Sequence, residues 1–281
     1  MNLIIQGLDI NNSDLRAIAK LSLADGIERI TGQAFRLTHA THTESSVEIA
    51  EYCAQAQLDF AFVDPARKLS DFKLIAMDMD STLLAVETID EIADMLHIKP
   101  QVSEITLQTM RGEISFEESL TRRTALLQGL HQDVLQSVYD ERVKLSPGAE
   151  RMLQQANKHG IKTMVISGGF TFFTDRIHEK LRLDFSSANV LEIENEKLTG
   201  KVVGRILGRE GKAEKLRTIQ QQLGIHSAQT IAVGDGANDL DMMHEAGVSI
   251  AYHAKPIVKQ QATYAIDYVG LDGIISLFTG D

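Results

Sequence analysis

The spacing of hydrophobic and polar positions divides the chain near residue 70. Before it, NLIIQGL and LDFAFVD have the pattern of strands, while SDLRAIAKLSLA and SVEIAEYCAQA have that of amphipathic helices. These elements predict a small α/β module over residues 1–70. The polar stretch DPARKLSD (64–71), which contains a proline, is typical of a linker.

Buried strands separated by helices characterise residues 71–281. The runs KLIAMD, IKTMVIS, QTIAVGD and VSIAY are almost continuously apolar, which is typical of parallel strands covered on both faces. Helices are predicted between them over 146–159, starting at the pair Ser146-Pro147, over about 212–224 and over 238–247. This alternation predicts a doubly wound, Rossmann-like parallel sheet.

Residues 85–145, between the first two of these strands, carry only helical patterns. The segments are ETIDEIADMLHI, QVSEITLQTM, SFEESLTRRTALLQ and HQDVLQSVYDERV, and Ser115 with Glu118 predicts a capping box in the third. We therefore expect a helical cap, at about 85–145, inserted into a core made of 71–84 and 146–281. Such a cap would lie over the carboxyl edge of the sheet, where ligands bind in open α/β folds.

Charge narrows the range of partners. The net charge of the 281-residue chain is −11, which disfavours nucleic acid and anionic membranes as partners. The same charge repels phosphorylated substrates, so a phosphate site needs local cations.

The single cysteine, Cys53, allows no intrachain disulfide, and no signal peptide or membrane-spanning run stands out. We expect a cytoplasmic protein.

Two aspartates follow the first buried strand. In the sequence DMDST, Asp78 and Asp80 can both reach one crevice, where one carboxylate could attack phosphorus and the other could transfer protons. Acidic pairs after strands are common, and a purely structural role in which Asp80 caps the next helix stays open.

Three further signals fall at the same predicted edge. Ser167 precedes two glycines, whose backbone N–H groups could bind a phosphate oxygen. Lys212 lies at the start of a helix, and Asp235 and Asp239 follow the strand QTIAVGD with oxygen ligands of the kind that Mg²⁺ prefers. Each alone also fits a glycine turn, a solvated lysine or a helix cap. Their common place at strand ends favours one shared site.

Taken together, DMDST, SGG, Lys212 and GDGAND resemble the haloacid dehalogenase superfamily of phosphotransferases. The longer set DMDSTLLAVETIDEIA, SFEESLTRR, VISGGF and AVGDGAND resembles its phosphoserine phosphatase family and covers about residues 72–281. Residues 1–70 lie outside this match and resemble an ACT-like regulatory module.

The resemblance implies an enzyme that hydrolyses O-phospho-L-serine to L-serine and phosphate, the last step of serine biosynthesis. It implies that Asp78 forms an aspartyl-phosphate and that Asp80 acts as general acid and then base. Mg²⁺ is expected on the carboxylates of Asp78 and Asp235 and on the backbone carbonyl of Asp80. Lys212 and the metal would offset the charge of the approaching anions.

The resemblance also implies supporting and substrate-binding roles. Arg123 would bind the substrate carboxylate through its planar fork, and Glu87 would bind the amino group. The remaining residues are expected to hold the phosphate (Ser167 and Gly168), to cover the site (Met110 and Phe116), to contact the phosphate or serine end (Asn238), to support the loop (Thr82) and to orient Lys212 or the metal waters (Asp239). Without the resemblance, Arg123 fits a solvated helix face and Phe116 the interior of the cap.

Two other functions stay open at this point. A related enzyme could act on phosphothreonine or phosphohomoserine, since Glu87 and Arg123 do not measure side-chain length. A receiver-like protein could store phosphate on Asp78 as a signal, but such proteins lack an acid two residues after the acceptor and lack a helical cap. A dehalogenase needs neither the metal nor Asp80. The sequence does not define the oligomeric state, and a homodimer is one option.

Overall fold

The computed structural model describes residues 1–41 and 46–278, which form two β-sheets. The smaller sheet has the order β2-β3-β1-β4 and is antiparallel throughout. Its elements, in chain order, are β1 (Asn2–Gln6), α1 (Asn12–Leu21), β2 (Gly26–Arg29), β3 (Ala34–Thr38), α2 (Ser46–Gln55) and β4 (Asp59–Val63). This βαββαβ connectivity is the ferredoxin-like arrangement. The ACT-like assignment itself stays a prediction.

Both helices of this module share a core with one face of its sheet. Leu3 and Ile5 of β1 contribute to it together with Ile18 of α1 and Ile49 of α2. The period of two in β1 and the helical period in α1 and α2 arise from this packing. Strands β2 and β3 were not predicted, because β2 is short and three of its four residues are exposed.

The larger sheet confirms the predicted fold class. Its strands are β5 (Leu74–Met77), β6 (Lys162–Phe170), β7 (Phe185–Glu194), β8 (Lys197–Val203), β9 (Thr230–Gly234), β10 (Val248–Tyr252) and β11 (Tyr264–Ile266). The order is β11-β10-β9-β5-β6-β7-β8, parallel except for the β7–β8 pair. Strand β7, the antiparallel strand β8 and the short edge strand β11 were not predicted.

Helices cover both faces of the larger sheet. They are α7 (Ala149–Lys158), α8 (Thr171–Leu181), α9 (Arg209–Leu223), α10 (Leu240–His244), α11 (Pro256–Lys259) and α12 (Gly273–Phe278). Alternate residues of β5 enter different cores, Ile75 and Met77 on one face and Leu74 and Ala76 on the other. In the described part of the chain, no helix combines the length and apolar character needed to cross a bilayer.

The segment between β5 and β6 is a helical cap, as predicted. It contains α3 (Thr88–Met95), α4 (Lys99–Met110), α5 (Phe116–Ala125) and α6 (Asp133–Glu141). The two chain crossings between core and cap run side by side, with Leu84 bridged to Leu145 and the N–H of Ser146 donating to the Leu83 carbonyl at 3.0 Å. The cap also contacts the β7–β8 hairpin, because Gly129 N–H donates to the Leu198 carbonyl at 2.8 Å.

Several predicted boundaries were wrong, including those of α10, which spans Leu240–His244 rather than 238–247. Helix α7 begins at Ala149 rather than at Ser146-Pro147, because Gly148 adopts a φ of +76°. Strand β6 does not end at Ser167 but continues through the two glycines to Phe170. The glycines therefore belong to an extended strand end and not to the turn that begins a helix.

Candidate active site

Asp78 directly follows β5 at the centre of the larger sheet. Its backbone N–H donates to the Val233 carbonyl of β9 at 3.0 Å, which fixes the position of the residue. Its Oδ1 accepts hydrogen bonds from Met79 N at 2.8 Å and from Lys212 Nζ at 2.7 Å. Burial first, and then repulsion by Asp239, raise the pKa of this carboxyl well above its ordinary value despite the attraction of Lys212.

Asp80 lies in the tight loop Met79–Leu83 between the core and the cap. Its Oδ1 accepts from the backbone N–H of Thr88 at 2.8 Å, and its Oδ2 accepts from Ser167 Oγ at 3.1 Å. The helix-capping role that the sequence left open is therefore real, since Thr88 begins α3. Burial raises the pKa of Asp80 even though these hydrogen bonds lower it. A carboxyl of this kind is suited to donate a proton.

Lys212 lies in the first turn of α9 and is fully buried. Its Nζ donates to Asp78 Oδ1 at 2.7 Å and to Asp239 Oδ1 at 2.6 Å. Burial lowers the pKa of this lysine, but the attraction of Asp239 and Asp78 outweighs it and the net pKa is raised. Lys212 therefore carries its positive charge permanently beside Asp78.

Asp239 has donors on both of its carboxylate oxygens. Besides Lys212 on Oδ1, the backbone N–H groups of Asp235 and Gly236 donate to Oδ2 at 3.2 and 3.0 Å. The side chain is completely buried and holds the loop after β9 against Lys212. This arrangement supports the positioning role that the resemblance implies for Asp239.

Three carboxylates could together hold a metal ion. Oxygens of Asp78, Asp235 and Asp239 lie within 4.8 Å of one another. Burial first and repulsion by Asp239 second raise the pKa of Asp235 to about 6, while Thr82 Oγ donates to it at 3.3 Å. Hard oxygen donors whose mutual repulsion a cation would relieve fit a divalent metal. Because Asp239 is saturated with donors, Asp78 and Asp235 are the carboxylates available to it.

A cavity of about 380 Å³ between core and cap brings most of the predicted residues together. From the core, Asp78, Asp80, Gly168, Asp235 and Asn238 line it. From the cap, the lining includes Glu87, Met110, Phe116 and Arg123. Ser167, Lys212, Thr82 and Asp239 lie behind this wall and reach the site through their hydrogen bonds.

Glu87 and Arg123 place opposite charges in the cavity. Glu87 Oε1 accepts from Ser81 Oγ at 2.7 Å, and burial, followed by repulsion from Asp80, raises its pKa to about 7. Burial lowers the pKa of Arg123, whose guanidinium forms no ion pair with any described residue. The neighbouring Arg122, in contrast, pairs with Glu118 on the exposed helix face. Only one of the two adjacent arginines therefore faces the site.

Phe116 and Met110 differ in how they meet the cavity. A Cβ at Gly168 would lie 2.7 Å from Phe116 Cζ, so the aromatic ring packs directly on the glycine backbone. Met110, at the end of α4, is 63% exposed and lies at the rim. Phe116 therefore packs over the core wall of the cavity, whereas Met110 leaves the rim open to solvent. That either residue covers a bound substrate stays a prediction.

Several lining residues were not predicted from the sequence. Lys255 follows β10, donates its backbone N–H to the Asp235 carbonyl at 3.1 Å and lowers the pKa of the Asp235 carboxyl by its charge. The strand-end argument, applied to VSIAY, would have found it. Ser81 and Asp90 carry no such signal, because their contribution depends on the path of the loop and of α3.

Comparison with known proteins agrees with this architecture. Residues 72–247 match the haloacid dehalogenase-like hydrolase family, and residues 3–46 match a domain of unknown function. A phosphoserine phosphatase of Polaromonas sp. (strain JS666) is 51% identical over 218 residues, which cover 76% of this chain and 92% of the relative. A HAD family hydrolase of Salmonella enterica serovar Typhi superposes with a TM-score of 0.90 at 31% identity, covering 100% of this chain and 98% of the other. A probable phosphoserine phosphatase of Vibrio cholerae superposes with a TM-score of 0.84 at 33% identity, covering 99% of this chain and 86% of the other.

Proposed function

The chain belongs to the haloacid dehalogenase-like hydrolases, and we propose that it hydrolyses O-phospho-L-serine to L-serine and phosphate, the last step of serine biosynthesis. One observation carries the proposal: a single cavity combines the Asp78–Asp80 pair of the core with Glu87 and Arg123 of the cap. The first pair suits phosphoryl transfer, and the second suits the charged ends of an amino acid. The relatives named phosphoserine phosphatases support the same substrate.

The proposed reaction has two steps. A carboxylate oxygen of Asp78 attacks phosphorus, the bond from phosphorus to the serine oxygen breaks, and Asp80 gives its proton to that oxygen. In the second step Asp80 takes a proton from water as the water oxygen attacks phosphorus. The bond to Asp78 then breaks, and phosphate leaves. The buried hydrogen bonds of Asp80 to Thr88 and Ser167 hold it in place for both transfers.

We assign the metal as Mg²⁺, held by the carboxylates of Asp78 and Asp235 and by the backbone carbonyl of Asp80. When bound, it would supply positive charge for the phosphate and for the two carboxylates. Lys212 supplies a fixed second cation through its bond to Asp78. These local charges offset the repulsion that a chain of net charge −11 exerts on a phosphate ester.

Recognition of the serine end is assigned to the cap. Arg123, with no ion-pair partner among the described residues, would bind the carboxylate, and Glu87 would bind the ammonium group. Asn238 lines the core side of the cavity and would contact the phosphate or the serine end of the substrate. We also propose a cytoplasmic location, which the buried free thiol of Cys53 supports.

The receiver-like alternative is less well supported. Asp80 lies within hydrogen-bond reach of Ser167 and faces the cavity, and the cap forms one wall of it. A protein that only stores phosphate needs neither feature. Phosphothreonine stays the closest competing substrate, because the charges of Glu87 and Arg123 would recognise it equally.

The test is phosphate release from L-phosphoserine, phosphothreonine and p-nitrophenyl phosphate with Mg²⁺, and with EDTA in place of the metal. We expect metal-dependent release with phosphoserine preferred. Arg123→Ala should lower kcat/KM for phosphoserine about a hundredfold, as loss of a charge-assisted pair implies, and leave p-nitrophenyl phosphate almost unchanged. The matched control is Arg122→Ala, which should change neither. Equal effects of the two variants would rule out Arg123 as the carboxylate-binding residue.

A further inference from the structure

One face of helix α5 forms part of the cap wall of the active-site cavity. Phe116, Ser119, Leu120 and Arg123 all line the cavity, and they follow the helical spacing of three and four residues. Phe116 and Arg123 already have roles in the proposed function, and Leu120 belongs to the apolar core. Ser119 is the remaining polar residue on this face, and the proposed reaction does not use it.

The hydroxyl of Ser119 is buried without a partner. The residue is only 1% exposed, and its Oγ makes no hydrogen bond to any described residue. Ser115, one turn earlier, differs, because its Oγ accepts from Glu118 N–H at 3.1 Å and caps the helix. Burying a hydroxyl that makes no hydrogen bond costs free energy of folding. The partner of Ser119 is therefore expected to be a ligand in the cavity that the residue lines.

The position of Ser119 on the helix indicates which part of a ligand it would meet. Arg123 lies one turn further along the same face, and its Nε donates to the Ser119 backbone carbonyl in a long hydrogen bond of 3.4 Å. A serine side chain has three staggered positions about its Cα–Cβ bond. Because no hydrogen bond holds the present one, the hydroxyl can turn towards a ligand on Arg123 without breaking a bond in the protein.

We propose that Ser119 Oγ donates a hydrogen bond to the substrate carboxylate beside Arg123, which makes Ser119 a further specificity-determining residue. This inference rests on the proposed hydrolysis of O-phospho-L-serine. A carboxylate accepts up to about four hydrogen bonds, and a bidentate arginine fills only part of them. The hydroxyl adds a donor from a second direction. A phosphate ester without a carboxylate gains nothing from it.

Ser119→Ala should lower kcat/KM for L-phosphoserine about tenfold or more, because the variant lacks a hydrogen bond to a charged group. Hydrolysis of p-nitrophenyl phosphate, which has no carboxylate, should change far less. The matched control is Thr124→Val. Thr124 Oγ1 is equally buried and has no partner among the described residues, but Thr124 does not line the cavity. Equal kcat/KM for phosphoserine in the two variants would overturn the proposal.

Phosphoethanolamine shows which end of the substrate the hydroxyl contacts. It has an ammonium group but no carboxylate, so it should compete with p-nitrophenyl phosphate equally well in the unaltered and Ser119→Ala proteins. Weaker competition in the variant would place the hydroxyl at the ammonium group and contradict the assignment.

A double-mutant cycle tests whether Ser119 and Arg123 hold the same carboxylate. In the Arg123→Ala background, Ser119→Ala should reduce phosphoserine hydrolysis by a smaller factor than in the unaltered protein, because the carboxylate is then no longer held beside the hydroxyl. Effects of the two substitutions that simply multiply would contradict a shared carboxylate.

Thermal unfolding separates binding from folding. Without ligand, Ser119→Ala should be at least as stable as the unaltered protein, because the variant lacks a buried hydroxyl that has no partner. Marked destabilisation would show that Oγ is bonded within the protein and would overturn the proposal. Failure of the unaltered protein to hydrolyse phosphoserine would refute the proposed function itself. Full activity of Ser119→Ala in an otherwise active enzyme would refute only the role of Ser119.

Discussion

At the scale of residues, the role of each acidic side chain in the site follows from its surroundings. Asp239 accepts hydrogen bonds from Lys212 and from two backbone N–H groups, so its role is to hold Lys212 and the loop after β9 in place. Asp80 is buried, with hydrogen bonds that hold it but do not offset its burial, and its pKa is raised. Glu87 has one side-chain hydrogen bond, from Ser81. The acid, the positioning group and the substrate-binding group thus differ in environment and not in chemical type.

Glu87 is expected to make substrate binding depend on pH near neutrality. Burial and the charge of Asp80 raise its pKa to about 7, so it is ionised above that pH and neutral below it. Since only the ionised form attracts the ammonium group, KM for phosphoserine should rise as the pH falls through 7. Glu87→Gln should remove this rise.

The measurement is KM for phosphoserine in both proteins across the pH range, with p-nitrophenyl phosphate to correct for ionisation of the phosphate. A constant ratio between the two proteins at all pH values would contradict the role of Glu87.

At the scale of elements, glycines with positive φ set the ends of helix α7. Gly148 precedes it with a φ of +76°, and Gly160 follows it with a φ of +68°. Gly148 also packs against the turn at Asp272, beside the crossing that returns from the cap to the core. The two glycines therefore have the same backbone conformation but different surroundings.

Gly148→Ala is expected to destabilise the protein more than Gly160→Ala. A Cβ at Gly160 meets no atom within 4 Å. Alanine there loses only the stability that the left-handed backbone conformation costs a residue with a side chain, about 1 kcal/mol. A Cβ at Gly148 would lie 2.7 Å from the backbone nitrogen of Asp272, and overpacking adds about 1–3 kcal/mol. Urea denaturation of both variants measures the difference. Equal losses of stability would show that Asp272 moves without cost.

At the scale of the whole molecule, Asp59 attaches the N-terminal sheet to the core. Its Oδ1 accepts from Asp267 N at 2.6 Å, and its Oδ2 accepts from the backbone N–H groups of Tyr268 and Val269, each at 3.0 Å. The side chain begins β4, and the three donors follow β11. This buried carboxylate helps to join two sheets that share no strand, beside the apolar packing of Ile4, Ala61 and Val63 against the core.

Asp59→Ala should destabilise the chain by about 2–4 kcal/mol, because three backbone N–H groups lose their acceptor. Asp64→Ala is the matched control, since among the described residues the Asp64 carboxylate accepts only from the nearby exposed Ala66 N–H. Thermal unfolding gives the stability, and limited proteolysis at residues 64–71 reports detachment of the sheet. If Asp59→Ala unfolds and is cleaved like Asp64→Ala, the attachment lies elsewhere.

The sequence predicted what depends on local pattern and missed what depends on distant contacts. Asp78, Asp80 and Asp235 were found because parallel strands end at one edge, and the long apolar runs of β5, β6, β9 and β10 are unambiguous. Strands β2, β3, β7, β8 and β11 were missed. Three of them, β2, β8 and β11, lie at sheet edges, where exposed residues weaken the hydrophobic period. The start of α7 was wrong because the Pro147 carbonyl accepts from Leu271 N–H, a contact made across the fold.

Trapping the phosphoenzyme tests the central claim most directly. Asp80→Asn, incubated with L-phosphoserine and Mg²⁺, should retain a phosphoryl group, because the variant lacks the base that activates water. After acid quenching and digestion, mass spectrometry should find the added phosphoryl mass on the peptide containing Asp78, and Asp78→Asn should show none. A phosphoryl group on another residue, or full turnover by Asp78→Asn, would contradict the assignment of Asp78 as nucleophile.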